Sequence, residues 1–306
     1  MPRVCVIGSA NVDHAVTVPW LPRPGETVTG GDLLRDLGGK GANQAVAARR
    51  LGAEVRMLGG VGADPAGEEI RARLAALGIG VDGLVTVPSP TGAALIVVDA
   101  AGANQIAVAP GANHALTVEA LAAHAEAIAW ADVVVCQLEI PLPVVRWALG
   151  EARRRGVETL LNPAPARELD DELLRLTRYL TPNEGEAGRL SGTEVTGLET
   201  ARKAGERLVA RGAAVVIITL GSAGALVCSG ERPVHYPAFP VTAVDTTAAG
   251  DAFTGALAVG VAAGGTLEQA LPLANAAAAL TCTQPGAQAS LPDRAAVERY
   301  LRELRG

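Results

Sequence analysis

Asp251 follows a run of small residues in VDTTAAGDAFTG, residues 244–255, where a turn gives way to a helix. The first N–H groups of a helix lack intrahelical acceptors, and the helix dipole favours negative charge beside them. Ala248, Ala249 and Gly250 carry no bulk that would keep a phosphate from those amides, so the stretch can form an anion hole. A carboxylate in the first turn can take a proton from an attacking hydroxyl while the amides hold the charge developing on the transferred group. Asp251 could equally do no more than complement the dipole, and this motif alone is compatible with both roles.

A second glycine cluster, DLGGKGANQAVAARRLGA, covers residues 36–53. Gly38, Gly39 and Gly41 open a helix whose periodic face includes Ala45, Ala48 and Leu51. It is not a Walker A loop, because Leu34 stands where that motif needs glycine and Gly41 where it needs Ser or Thr. GGVGADPAG, residues 59–67, lacks the spacing of a dinucleotide fingerprint. Lys40 and Asn43 suit hydrogen bonding to a neutral polyol instead. The chain has 26 basic residues, of which only Lys40 and Lys203 are lysines, so a lysine among these glycines reads as selected rather than as a solvated surface residue.

Further polar residues follow apolar runs: Asn11 and Asp13 after VCVIG, Glu139 after VVVCQL, Asn162 after VETLL, Asn183 and Glu186 after RYLTP, and Thr219 to Ser222 after AVVII. Each alone suits an ordinary turn or helix cap. Their recurrence matches the carboxyl ends of strands in an open α/β sheet, where such sheets bind ligands.

The elements that must hold these residues alternate from about residue 116. LTVEALAAHAEAIAWA has helical period, DVVVCQL reads as a buried strand, LPVVRWALGEARRRG as a helix and VETLLN as a strand. RYLTPN, a helix over GLETARKAGERLVARGA, the strand AVVIITLG and three C-terminal helices continue the pattern, with VTAV, 241–244, read as a strand ending before the Asp251 turn. Strands apolar along their whole length imply a doubly wound, mostly parallel α/β sheet with helices on both faces. Residues 15–36 and 92–109 read instead as short strands separated by turns, a small β-sheet lid beside the main sheet. One domain over residues 1–306 is expected.

Composition narrows the function classes. A net charge of −6 supplies no basic stripe for nucleic acid. The mean hydropathy of +0.27 reflects alanine and valine, without the run of about 18 to 20 apolar residues that a membrane helix needs. MPRVCVIGSA is too short for a signal-peptide core, and the four scattered cysteines suggest neither zinc site nor disulfides, so a reduced, cytoplasmic protein is expected. The four histidines are too dispersed for a metal site.

GGKGANQ and DTTAAGD, with GSANVDH, PRPGETVTG, QLEIP, NPAPA, TPNEGEA, TLGSAG, ANAAAA and GAQASLP in the same order, resemble the ribokinase family of carbohydrate kinases over the whole length. The resemblance implies ATP-dependent phosphorylation of D-ribose at its 5-hydroxyl, with Asp251 as base and Ala248, Ala249 and Gly250 as the anion hole. It implies that Asn11, Asp13, Gly39, Lys40, Asn43 and Glu139 bind the sugar, and that Asn183 with Glu186 is associated with Mg²⁺ and phosphate. Thr219, Gly221, Ser222 and Asn275, with Gly250, would contact ATP. Asp245, Thr247, Gly286 and Ser290 match a K⁺ site beside the anion hole. Val12 stands where alanine is common in the family. A homodimer joined through the lid strands is also implied. Fructose, 2-keto-3-deoxygluconate or a nucleoside are alternative acceptors, the last disfavoured because only Trp20 among the aromatics lies in the lid. A catalytically silent sugar- or nucleotide-binding regulator is the alternative of another class; the intact Asp251 motif argues against it.

Overall fold

Apolar runs of strand length recur along the chain, and in a computed structural model describing residues 1–304 they become a central sheet. The strands in chain order are β1 (Arg3–Ile7), β2 (Asn11–Val18), β3 (Leu33–Gly38), β4 (Glu54–Val61), β5 (Gly80–Thr86), β6 (Gly92–Asp99) and β7 (Asn104–Ala109), then β8 (Val133–Cys136), β9 (Glu158–Leu161), β10 (Tyr179–Leu180), β11 (Val215–Thr219), β12 (Ala225–Cys228) and β13 (Val234–Tyr236). Nine pair in the order β13-β12-β11-β10-β9-β8-β1-β4-β5. Pairing is parallel except where β12 meets β11 and β13.

Both faces of this sheet are covered, which is why its central strands β1, β8 and β11 are almost wholly apolar. Val4, Val6, Val133, Val135 and Ile217 join a core with the helices Lys40–Arg50, Ala249–Ala262 and Leu267–Thr281. Their neighbours Cys5, Ile7, Val134, Cys136 and Ile218 point the other way, into a core with the helices Leu142–Arg154 and Leu198–Ala210. Burying each such branched side chain stabilises the fold by roughly 1.5–3 kcal/mol. Cys5, Cys136 and Cys228 are buried and unpaired thiols within these cores. Among the described residues no helix is long and apolar enough to cross a membrane.

The smaller sheet has the order β3-β2-β6-β7. It begins at Asn11, not near residue 15, so Asn11 and Asp13 lie on a strand of the lid and not in a turn after β1. Residues 19–32 form no strand; prolines at 19, 22 and 24, with Gly30 and Gly31, interrupt the pairing. Two other expectations also change. The segment 116–131 is two short helices, Val118–Ala122 and Glu126–Trp130, in place of one. VTAV, 241–244, is no strand but an irregular segment tied by the Val244 and Asp245 amides to the Cys282 carbonyl.

Candidate active site

Two helices bring the site together because glycine lets them approach. A Cβ on Gly255 would lie 2.6 Å from Ala47 Cβ and 2.9 Å from the Gln44 carbonyl, so the helix Ala249–Ala262 can rest directly on Lys40–Arg50. That contact places Asn43 Nδ2 3.0 Å from Asp251 Oδ2 and Gln44 Nε2 2.9 Å from Asp251 Oδ1. The helix Lys40–Arg50 itself starts from Gly39, whose φ of +88° favours glycine and whose missing side chain admits Ala10 and Asn11. At the other helix start Ala248 has φ +60°, a left-handed conformation costing roughly 1–2 kcal/mol for an L-residue. The first intrahelical bond there is from the Ala252 amide to the Ala248 carbonyl, and the Ala249 amide donates to the Thr246 carbonyl at 3.3 Å, which leaves the Gly250 and Asp251 amides without helical acceptors.

Asp251 is buried, and burial pushes its carboxyl above the ordinary value; the Lys40 charge and the hydrogen bonds from Asn43 and Gln44 pull it back, while Glu139 opposes them. For Lys40, burial alone would favour the neutral amine. The carboxylates of Asp251, Glu139 and Glu186 outweigh it and hold Lys40 above the ordinary lysine value. Glu186 is raised mainly by burial and is countered by the Asn183 amide and Lys40.

Two cavities meet beside Asp251. One, of about 210 Å³, is bounded by Lys40, Glu186, Ala248 and Asp251. The other, of about 810 Å³, has Gly221, Ser222 and Asn275 on its polar side and Phe239, Phe253 and Ala243 on its apolar side. Asn183, Thr219, Thr246 and Gly250 border both. Asn275 lines the larger cavity while its Nδ2 donates to the Tyr236 and Pro237 carbonyls, fixing the cavity rim. Asn183 and Glu186 do form a helix capping box, the ordinary role open to them, yet both also line the smaller cavity.

The residues expected at the sugar gather on the lid side. Asp13 pairs in register with Asp36 on β3, and Asn11 with Gly38. Glu139 is not free: its Oε2 accepts from the Ser9 hydroxyl and from the Lys40 amide at 3.0 Å, so it anchors the start of the Lys40 helix. Asp13 Oδ1 and Asn43 Oδ1 are buried acceptors with no protein partner, which is the arrangement hydroxyl donors of a polyol would satisfy. Asp245 accepts from Thr247 N and Oγ1 and from Gly286 N, which joins three of the four expected cation residues; Ser290 Oγ donates instead to the Ala287 carbonyl. Trp20, the lid aromatic, is more than half exposed and donates to Glu26.

Asp13 carries a measurable consequence. Burial, then Glu139, Asp36 and Asp251, raise its carboxyl from 3.8 to about 6. A folded-state value above the unfolded one contributes stability below the unfolded value and loses it as pH rises through about 6. Asp13→Asn is therefore expected to stabilise the sugar-free protein at pH 8 by on the order of 1–3 kcal/mol, with no gain below about pH 4, while weakening sugar binding. Thermal melts of both proteins across pH check this; a gain independent of pH would contradict it.

Residues without an assigned role from the sequence also belong to the site. Ser9 bridges Glu139 and the Gly41 amide, and Asn113 Nδ2 donates to Asn11 Oδ1 at 2.7 Å, orienting it. Gln44, Gln137, Asn162 and Thr181 form a buried chain of hydrogen bonds leading to Asp251. Asn162 also follows the apolar run VETLL; for Gln44, Gln137 and Thr181 the only sequence signal is that each opens or closes a signature stretch.

A Gly- and Ala-opened helix start aimed at a buried carboxylate, at the junction of a small polar cavity and a larger half-apolar one, defines a phosphotransferase site. The model of the pfkB family of carbohydrate kinases matches residues 1–294, and the chain belongs to that family. It is 42% identical over 298 residues to the ribokinase of Haemophilus influenzae, covering 97% of each chain. It is also 38% identical over 300 residues to a deoxyribokinase of Salmonella typhi, covering 97% of this chain and 98% of that one. Among solved structures, Arabidopsis thaliana ribokinase complexed with ribose and ATP superposes with a TM-score of 0.91 at 33% identity, covering 98% of this chain and 99% of that one.

Proposed function

We propose that the chain transfers the γ-phosphoryl group of ATP to the 5-hydroxyl of D-ribose, giving ribose 5-phosphate and ADP. The observation that carries this reading is the shared wall: Gly250 separates the two cavities, one residue from a buried carboxylate held by Asn43 and Gln44. Ribose as acceptor is supported by full-length similarity to ribokinases and to one complexed with ribose and ATP.

In this reading Asn11, Asp13, Gly39, Lys40, Asn43 and Glu139 hold the sugar hydroxyls, and the larger cavity takes the nucleotide against Thr219, Gly221, Ser222 and Asn275. Asp251 accepts the proton of the 5-hydroxyl as that oxygen bonds to the γ-phosphorus and the bond to the departing ADP oxygen breaks. The anion hole of Ala248, Ala249 and Gly250 holds the charge on the transferred group, and Lys40 balances the surrounding carboxylates. Closure of the smaller sheet as a lid excludes water as a competing acceptor, with residues 1–306 acting as one unit.

Asn183 and Glu186 border both the cavity and the base, and their oxygens fit Mg²⁺, which would neutralise charge on the ATP phosphates. Asp245, Thr247, Gly286 and Ser290 offer only oxygen donors, a set that fits K⁺ beside the anion hole. Strand register puts the exposed Leu34, Ile106 and Val108 on the lid face that carries Asp13, supporting a homodimer in which a second lid covers them; sedimentation at the mass of a single chain would reject it. Unpaired buried thiols fit a cytoplasmic site of action. The reaction is tested by ³¹P NMR of ribose and ATP with the enzyme and Mg²⁺, in K⁺ and in Na⁺. The expected result is a phosphomonoester on the primary carbon, formed faster in K⁺; phosphate on another carbon would displace the assigned sugar orientation.

A further inference from the structure

We infer that the buried carboxamides of Gln137, Gln44 and Asn162 form a relay of fixed polarity that aims an N–H at Asp251, so that Gln44 and Gln137 are positioning residues for the base. The inference rests on Asp251 being the base of the proposed transfer.

The polarity is set at a backbone carbonyl. Thr181 O can only accept, so Asn162 Nδ2, 2.9 Å away, must donate. Asn162 Oδ1 is then the acceptor for Gln44 Nε2 at 3.1 Å, and the other N–H of the same nitrogen reaches Asp251 Oδ1 at 2.9 Å. Gln44 Oε1 is left as an acceptor and takes Gln137 Nε2 at 2.6 Å. A carboxamide has nearly the same shape at both ends, and only its partners decide which end faces the carboxylate. Turned over, Gln44 would set its oxygen against two others, those of Asn162 and Asp251. The Asn162 and Asp251 oxygens together exclude that state. Its members come from GGKGANQ, QLEIP, NPAPA and TPNEGEA, the four stretches that meet at the carboxyl edge of the sheet.

Gln137 supplies an independent observation. Among the described residues its Oε1 is buried with no hydrogen-bond partner, a destabilising state. The backbone even makes room for it, since a Cβ on Gly8 would fall 1.9 Å from that oxygen. With its acceptor orphaned, what this amide contributes is its donor, and among the described residues the only bond that donor makes is to Gln44. The charged groups around Asp251 are Lys40, Glu139, Glu186 and Asp13. They set the field; Asn43 and Gln44 set the orientation and favour the ionised form.

The test compares Gln137→Met, Gln44→Met, the double variant and Asp251→Asn by melting temperature, kcat, KM for ribose and the acid limb of kcat against pH. Gln137→Met, which exchanges the orphaned Gln137 Oε1 for an orphaned Gln44 Oε1, is expected to melt near the wild-type temperature yet lose kcat about tenfold with KM nearly unchanged. Gln44→Met is expected to lose more, with its acid limb at higher pH because the ionised carboxylate has lost a donor. The double variant should be no worse than Gln44→Met, as residues acting in series are not additive. If Gln44→Met does not fold, the isosteric Gln44→Glu must move the acid limb higher still. Folded variants with wild-type kcat and acid limb, or with the whole loss in KM, would overturn the relay. Normal turnover in Asp251→Asn would instead remove the base on which it depends, whereas its loss there beside unchanged Gln44 variants removes the relay alone.

Discussion

Asp251→Asn is expected to bind ribose and ATP with near-normal affinity and to lose kcat by about 10³-fold, inside the roughly 10²- to 10⁴-fold that a positioned proton acceptor supplies. The substitution keeps the shape of a buried side chain whose surroundings are already packed. It removes the only carboxylate in contact with both Asn43 and Gln44, and an amide can accept from one of those donors but not from both at once without presenting an N–H to the other. Lys40 keeps Glu139 and Glu186 as counter-charges, so the site is not left with an unbalanced cation. Calorimetry separates binding from turnover. Near-normal kcat in this variant would sink the base assignment.

Gly250→Val is expected to fold as well as the wild type and still to lose kcat by about 10²-fold or more, since small displacements of reacting groups carry losses of that size. A Cβ at Gly250 meets nothing within 4 Å, and the residue is helical without a left-handed φ, so folding does not require glycine there. Gly250 borders both cavities, between which the phosphoryl group of the proposed transfer passes. Gly255→Val provides the contrast. Its Cβ would collide with Ala47 at 2.6 Å and separate the two helices, so that variant should lose stability along with activity. An unchanged melting temperature with wild-type kcat in Gly250→Val would show that transfer does not cross this wall.

Strands such as β1, β8 and β11 were legible because burial on both faces leaves them apolar apart from Arg3 and Thr219 at their ends, a pattern that needs no tertiary information. The smaller sheet was legible as a region but not in its bounds: Asn11 and Asp13 are polar, and polar residues after a strand read as a turn. VTAV, 241–244, has strand composition, yet the Val244 amide, with that of Asp245 after it, is taken by the Cys282 carbonyl, far along the chain, in place of a neighbouring strand. The site shows the same division. Asp251, Lys40 and Asn183 stand in local patterns whose chemistry can be read, whereas Gln44 acts on a carboxylate 207 positions away and Gln137 on Gln44 at a separation of 93. No local periodicity encodes such pairs; only the close contact permitted at Gly255 brings the first of them together.

The central claim is phosphoryl transfer from ATP to a pentose hydroxyl at Asp251. Its most direct test is kcat/KM from ADP release with ribose, 2-deoxyribose, fructose, 2-keto-3-deoxygluconate and adenosine, each with Mg²⁺ and K⁺. The highest value is expected with ribose, and little ADP without a sugar. Release no faster with any acceptor than with water would contradict the account and leave a protein that binds sugar or nucleotide without turning it over.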